Sequence, residues 1–559
     1  MTSLLLEPLP SGEWNVRLAR HLLRRAGFGY PIYRAEELAR QGPEAAVAAF
    51  VDYENLPFDF PEPDWLDEPQ TYRQMRADLR QEFRRRLEAG ELSEAEQQAL
   101  QRERQRLFNE LMRERRQDIE RLKVWWVRRM LRTPRPLEEK LALFWHGHFA
   151  TSAQKVRSPW LNYHLNDIFR RHAAGNFKTL TSEVGRSPAM LIYLDGVQNT
   201  RRSPNENWAR ELMELFTMGI GHYTEADIKE AARAFTGWSF DGERFVFHRF
   251  AHDDGEKIFM GRRGRWTGLD VIGIIFEQPA TAEFISRKLW THFAYDEPEP
   301  EIVEGLAATL RESDYDLKPL LRRMFLSRAF YGERAIGNQI KSPVQLAVGM
   351  AAQLGIEPDD TIGRLLAFQL RTMGQDLFYP PNVKGWDGGR AWINTNTLLH
   401  RYNLANLLVN GILADPPPGA PRLLRQAMEE DPEFRFMVNR SRLTPGDDGS
   451  GPLMRATPRR PLAAMEGDPS AGAIQFARAP FQPDKFFRPA QGYTLPQIAD
   501  FLADFFYPQP LRADQRDEIV EALAGDRQSV ERLDLGRWDQ DRLRSAVRLM
   551  LSAAEYQLC

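Results

Sequence analysis

Along most of this chain the apolar side chains return every three or four residues, the interval that places them on one face of an α-helix. Val16, Leu18, Leu22 and Leu23 begin the pattern, and Gly27-Phe28-Gly29 interrupts it. From Thr71 to Arg132 the chain is densely charged, with apolar positions at Leu79, Phe83 and Leu87, then at Leu100, Leu107, Leu111, Ile119 and Leu122. Ala89-Gly90 separates the two runs, and Ser93 with Glu96 has capping-box spacing, so residues 70–132 are expected to form a protruding charged helical hairpin. Ser203-Pro204-Asn205-Glu206 reads as the start of another helix, capped by Ser203, that runs to Met218 and stops at Gly219. Thr224 and Asp227 open the next, which ends near Thr236-Gly237. There the period changes. Phe245 and Phe247 alternate with Val246 and His248, and after a turn at Asp253-Asp254-Gly255 the run Lys257 to Met260 predicts one small β-hairpin near 243–262.

Helical spacing resumes from Gly268, notably over Ala280 to Tyr295, while residues 414–490 are rich in Pro, Gly, Asp and Arg without periodicity. The pattern therefore predicts a mainly α protein: a multi-helical antiparallel core with one β-hairpin and a charged helical hairpin projecting from it. Its expected divisions are N-terminal helices packing on the core (1–69), the charged hairpin (70–132), the helical core (133–410), an irregular insertion (411–490) and C-terminal helices returning to the core (491–559). Met324-Phe325-Leu326-Ser327 with Tyr331 is echoed by Leu549-Met550-Leu551-Ser552 with Tyr556, a hint of duplication.

Composition narrows the function classes. The 559 residues carry 75 basic and 78 acidic side chains, which lacks the basic footprint of a nucleic-acid binder. The one cysteine, Cys559, excludes an intramolecular disulfide and any thiolate-rich metal site. The start of the chain has no basic-then-apolar signal pattern and no uncharged run reaches membrane-spanning length, so a cytoplasmic location is expected.

Five segments occur in a telling order: Phe144-Trp145-His146-Gly147-His148-Phe149; Pro204-Asn205-Glu206-Asn207-Trp208-Ala209-Arg210-Glu211-Leu212-Met213-Glu214-Leu215-Phe216; Ala234-Phe235-Thr236-Gly237-Trp238; His252-Asp253; and Pro380-Pro381-Asn382-Val383-Lys384-Gly385-Trp386. Together they resemble the bacterial proteins grouped as domain of unknown function 1800, over roughly residues 15–410 and the tail ending Glu555-Tyr556. The resemblance implies no agreed activity. It does imply a protein partner from the domain of unknown function 1501 family, whose members look like alkaline phosphatases and sulfatases.

The residues themselves suggest further chemistry. His146, His148, Glu211, Glu214, His252 and Asp253 are ligand types suited to zinc, manganese or iron, and an open coordination position would make such a site a metal-dependent hydrolase. His146 and His148 point about 200° apart on a continuous helix, so both reach one ion only if the helix ends at Gly147. Against this, Glu206, Arg210 and Glu214 have the spacing of an i,i+4 ion-pair ladder, and histidines beside Trp145 and Phe149 are more commonly hydrogen-bonded core residues. Trp238, Trp386, Asp387 and Trp392, near flexible glycines, could form a binding surface for sugars, a polymer or a partner; alternatively those rings plug the core while the glycines turn. No phosphate loop, nucleophile elbow or His-Glu-x-x-His occurs. The balance favours a helical scaffold or accessory protein.

Overall fold

The computed structural model describes residues 4–31, 33–66, 81, 84–85, 94–411, 480–524, 532–536, 538 and 540–559. Most of the first arm of the expected charged hairpin and most of the insertion lie outside these residues.

Local signals start and stop the helices much as their chemistry dictates. Asn15 caps Val16–Ala26 by accepting the Leu18 N–H at 3.2 Å, and capping boxes open Glu225–Ala234, Gly268–Phe276, Pro343–Gln353 and Thr395–Asn410. The helix after residue 203 begins differently from its sequence signature. It starts at Asn207, and Asn205 rather than Ser203 accepts the Asn207 N–H. Ser203 instead pairs its backbone with Thr200.

The longest helix, Glu94–Arg132, has 39 residues and so spans about 58 Å. Its two ends live in different surroundings. Residues 101–118 are mostly exposed, whereas Ile119, Leu122, Trp126, Val127 and Met130 are buried and pack against the helices Asp360–Thr372 and Pro159–Arg171. The charged segment therefore becomes core well before Arg132.

A buried carboxylate ties this helix to its neighbours. Glu139, fully buried on Pro136–His148, accepts from Trp126 Nε1 at 2.8 Å, from Arg170 Nε at 2.6 Å and from Arg129 Nε. Burial pushes its carboxyl up, but Arg170 and Arg129 outweigh burial and hold it below its ordinary value.

Two small antiparallel hairpins interrupt the helices: β1 (Trp238–Phe240) with β2 (Phe245–Phe247), and β3 (Lys257–Phe259) with β4 (Arg262–Gly264). Each expected strand thus has a nearer partner than the other. Asp241 Oδ1 accepts the Glu243 and Arg244 N–H groups at 3.0 Å and turns β1 into β2. Met260 and Gly261, with φ of 48° and 75°, supply the left-handed residues of the tight β3–β4 turn. Asp253-Asp254-Gly255 does not join two paired strands; Asp253 is occupied by Arg233.

The C-terminal helices Leu495–Phe506, Ala513–Ala524 and Gln540–Ser552 pack on one another, and Gln540–Ser552 packs on Thr395–Asn410. They also meet the start of the chain: Tyr30 OH and Arg24 Nη2 both donate to the Phe505 carbonyl. Among the described residues no helix is long and apolar enough to cross a membrane.

Candidate functional site

The Pro136–His148 helix carries both motif histidines, and it runs through Gly147 instead of ending there. The two imidazoles consequently face different partners. His146 Nε2 accepts the Phe378 N–H at 3.0 Å, which leaves its proton on Nδ1. His148 Nε2 lies 3.0 Å from the Phe216 carbonyl oxygen, which can only accept, so this ring carries its proton on Nε2 and offers Nδ1 to Lys288 Nζ at 3.2 Å. Both rings are buried and held neutral: burial lowers His146 to about 3 and, with Lys288 adding to it, pushes His148 well down.

Gly147 has a different use. Gly385 (φ 82°) rests on its backbone, and a Cβ at Gly385 would collide with the Gly147 carbonyl. That close approach lets the Asn382–Trp386 loop close over the helix end, with the Trp386 ring 5.6 Å from His146.

The segment Leu212–Thr217 forms a π-turn, a wider coil often found where side chains must be re-aimed. Met218 and Gly219 both donate back to the Met213 carbonyl, and the helix ends there. The Leu215 and Phe216 carbonyls, orphaned at this terminus, accept from Lys288 Nζ at 3.3 Å and from His148. Lys288 also lies over the Phe284 ring at 4.9 Å, and burial lowers its ammonium to about 8. Sequence reasoning placed Lys288 inside a helix and saw nothing in it. Phe284 and Lys288 at i,i+4 were the one available signal, and it is weak.

On the outer side of the same turn sit Glu211 and Glu214, both half-buried. Burial, then the neighbouring Glu214, raises the Glu211 carboxyl, with Arg210 and Lys384 opposing. Glu214 accepts from Tyr223 OH at 3.3 Å. The expected ladder is only half made: Arg210 pairs with Glu206 at 3.1 Å but turns its other edge to Glu225 at 2.8 Å, not to Glu214.

His252 and Asp253 belong to a second cluster. His252 Nδ1 donates to the Thr236 carbonyl at 2.8 Å, and Asp253 pairs with Arg233 at 2.7 Å, which holds its carboxyl below the usual range. Gly237 (φ 83°) donates to the Asn199 carbonyl at 3.0 Å, while Asn199 Nδ2 donates to Ala232 O and its Oδ1 accepts from Asn205 N. Asn199, unnoticed in the sequence, is the knot of this cluster. A row of rings joins the two groups: His148, Phe149, Phe216, Trp208, Phe235 and Trp238, with successive centroids 4.6 to 6.0 Å apart.

The six candidate ligands are thus divided between two clusters. Among the described residues, no three His, Cys, Asp or Glu side chains gather as a group able to hold a metal ion. The physical reason is that His146, His148 and His252 already face backbone groups and Asp253 faces an arginine. The tryptophans mostly plug the core: Trp238 and Trp392 are buried and Trp386 is half-buried, which leaves Asp387 as the exposed member of that set.

The segments that meet here are those of one protein family. No curated protein and no solved structure matches the chain. The family model described as "protein of unknown function (DUF1800)" matches residues 21–558, nearly the whole length, and the chain therefore belongs to that family.

Proposed function

We propose that the protein is a helical scaffold that works by docking another protein, and that a phosphatase- or sulfatase-like member of the domain of unknown function 1501 family is that partner. The observation that supports this reading is the Glu94–Arg132 helix. Its last third is anchored in the core, while residues 101–118 stand exposed with Leu107, Phe108, Leu111 and Met112 forming an incompletely covered apolar stripe. Ion pairs such as Arg106–Glu110 flank the stripe and keep the helix formed without tertiary cover. The motif side chains point the same way, because most of their polar atoms are committed inside the protein.

Co-expression with a family-1501 protein, followed by size-exclusion chromatography, tests the reading. The wild type is expected to co-elute. Leu107→Lys with Leu111→Lys should weaken binding by about tenfold or more while the thermal midpoint of the core is unchanged. A wild type that elutes alone, or a variant that binds as well as it does, overturns the proposal.

A further inference from the structure

Where the Val16–Ala26 helix meets the C-terminal segment, five buried cations crowd together: Arg24, Arg25, Lys140, Lys341 and Arg401. Each is bonded to neutral oxygens. Arg24 Nη2 donates to Phe505 O (3.1 Å) and Tyr507 O (2.7 Å); Lys140 Nζ to Gly27 O (2.9 Å); Lys341 Nζ to Tyr556 O (2.6 Å). Arg401 reaches Gln557 Oε1 and Lys341 O, and Arg25 reaches Gln339 Oε1 and Ala335 O. Among the described residues none of the five forms an ion pair with a carboxylate side chain. Negative charge at Cys559 favours the charged forms of Arg25, Lys140 and Lys341, and Asp296 that of Arg25, against burial and the mutual repulsion of the cations themselves. The Nε atoms of Arg24, Arg25 and Arg401 are buried without a partner.

Such an excess of buried charge is costly; Lys140 and Lys341 answer it in part by giving up their protons more readily, and an anion beside the arginines would offset what remains. Arg24 lines two spaces at once. One is a small cavity of about 10 Å³, shared with Lys341, Gln345, Gln353 and Cys559 and roomy enough for one water. The other is an open groove of about 440 Å³, where Arg17, Arg20 and Arg24 share one stripe of the helix and face Tyr507 and Gln509. Glu36 and Asp504 also line the groove, Asp504 pairing with Arg20 at 3.4 Å.

We propose that this groove is an anion-binding site whose ligand is a small tetrahedral oxyanion, a phosphate or sulfate group, seated against Arg24 with Arg17 at the mouth. Two carbonyls fix the Arg24 guanidinium at the groove wall, Arg17 stands exposed at the mouth, and the buried cations behind them add a positive field. The oxyanion comes either as the free ion or as the headgroup of a monoester.

Thermal unfolding and isothermal titration at constant ionic strength test this, with inorganic phosphate, inorganic sulfate and glycerol phosphate as probes and chloride as the reference. The wild type should show a saturable rise in midpoint with at least one oxyanion. A tighter response to glycerol phosphate assigns a monoester, and a tighter response to the free ions assigns those. Arg17→Gln, at an exposed position, should raise the half-saturating concentration by about tenfold. Arg24→Gln should abolish the rise whatever it does to the starting midpoint. A wild type that responds to the oxyanions no more than to chloride, or an R24Q protein that keeps the full response, overturns the proposal.

Discussion

Two buried charge clusters share one helix and solve opposite problems. Glu138 and Glu139 face Arg129, Arg135 and Arg170, so positive and negative charge nearly cancel. One residue further on, Lys140 turns into the five-cation cluster, where the partners are carbonyl and amide oxygens. A balanced buried network is a structural joint, because every charged atom has its counterpart. An unbalanced one leaves a net field, which is a property that a ligand can use. Neighbouring residues on the Pro136–His148 helix thus belong to different kinds of interior.

The largest effect should come from breaking the balanced cluster. Glu139→Gln leaves Arg129 and Arg170 facing each other across a neutral amide and should cost about 3–5 kcal/mol in denaturant unfolding. A loss under about 1 kcal/mol would show that the cluster is not such a joint. Next comes Gly385→Ala, where a left-handed backbone and the Gly147 carbonyl both oppose a Cβ; the expected loss is about 2–3 kcal/mol, with reduced Trp386 burial read from its fluorescence.

The two clusters should also differ in pH dependence. Burial lowers Lys140 and Lys341 to about 7, so above that pH the folded state releases their protons while the unfolded state keeps them. Stability should therefore rise between about pH 7 and 10, by at most about 1.4 kcal/mol per pH unit for each lysine. Lys341→Met should flatten that rise and Glu139→Gln should not. In acid the sign comes from the histidines: His146 and His292 are lowered to about 3, so below about pH 6.5 the unfolded chain takes up protons first and stability falls as pH falls. The smallest effect is Lys140→Met at pH 7, expected to change stability by less than about 1 kcal/mol, because removing one cation from an unbalanced group relieves repulsion as well as losing a bond. A loss as large as that of Glu139→Gln would make the two clusters alike and remove the contrast.

Much of the helical plan was legible along the chain, and so was the family. The Thr224–Asp227 start, the Gly219 stop and the charged face of residues 101–118 follow from signals within one or two turns. Less of the site was legible. The spacing of Glu206, Arg210 and Glu214 pointed to a ladder, but Glu225 lies better placed for the second edge of Arg210. The alternation at Phe245–Phe247 correctly marked a strand, yet its partner lay behind it in the chain, since the Asp241 turn is shorter than the one through Gly255. Nothing local could show that Lys288 would meet His148, because each group looks ordinary in its own helix.

By itself, then, the sequence determined where most of the helices lie, which faces are apolar, and which family the chain belongs to, because periodicity, caps and left-handed glycines act over a few residues; the Asn207 start and the passage of a helix through Gly147 escaped it. Only the tertiary structure decided which polar group answers which. His148 and Phe216 are 68 residues apart, His146 and Phe378 are 232 apart, and Arg24 and Tyr507 are 483 apart. Buried hydrogen-bonding groups must find partners wherever packing brings them, and at such separations packing, not spacing, makes the choice.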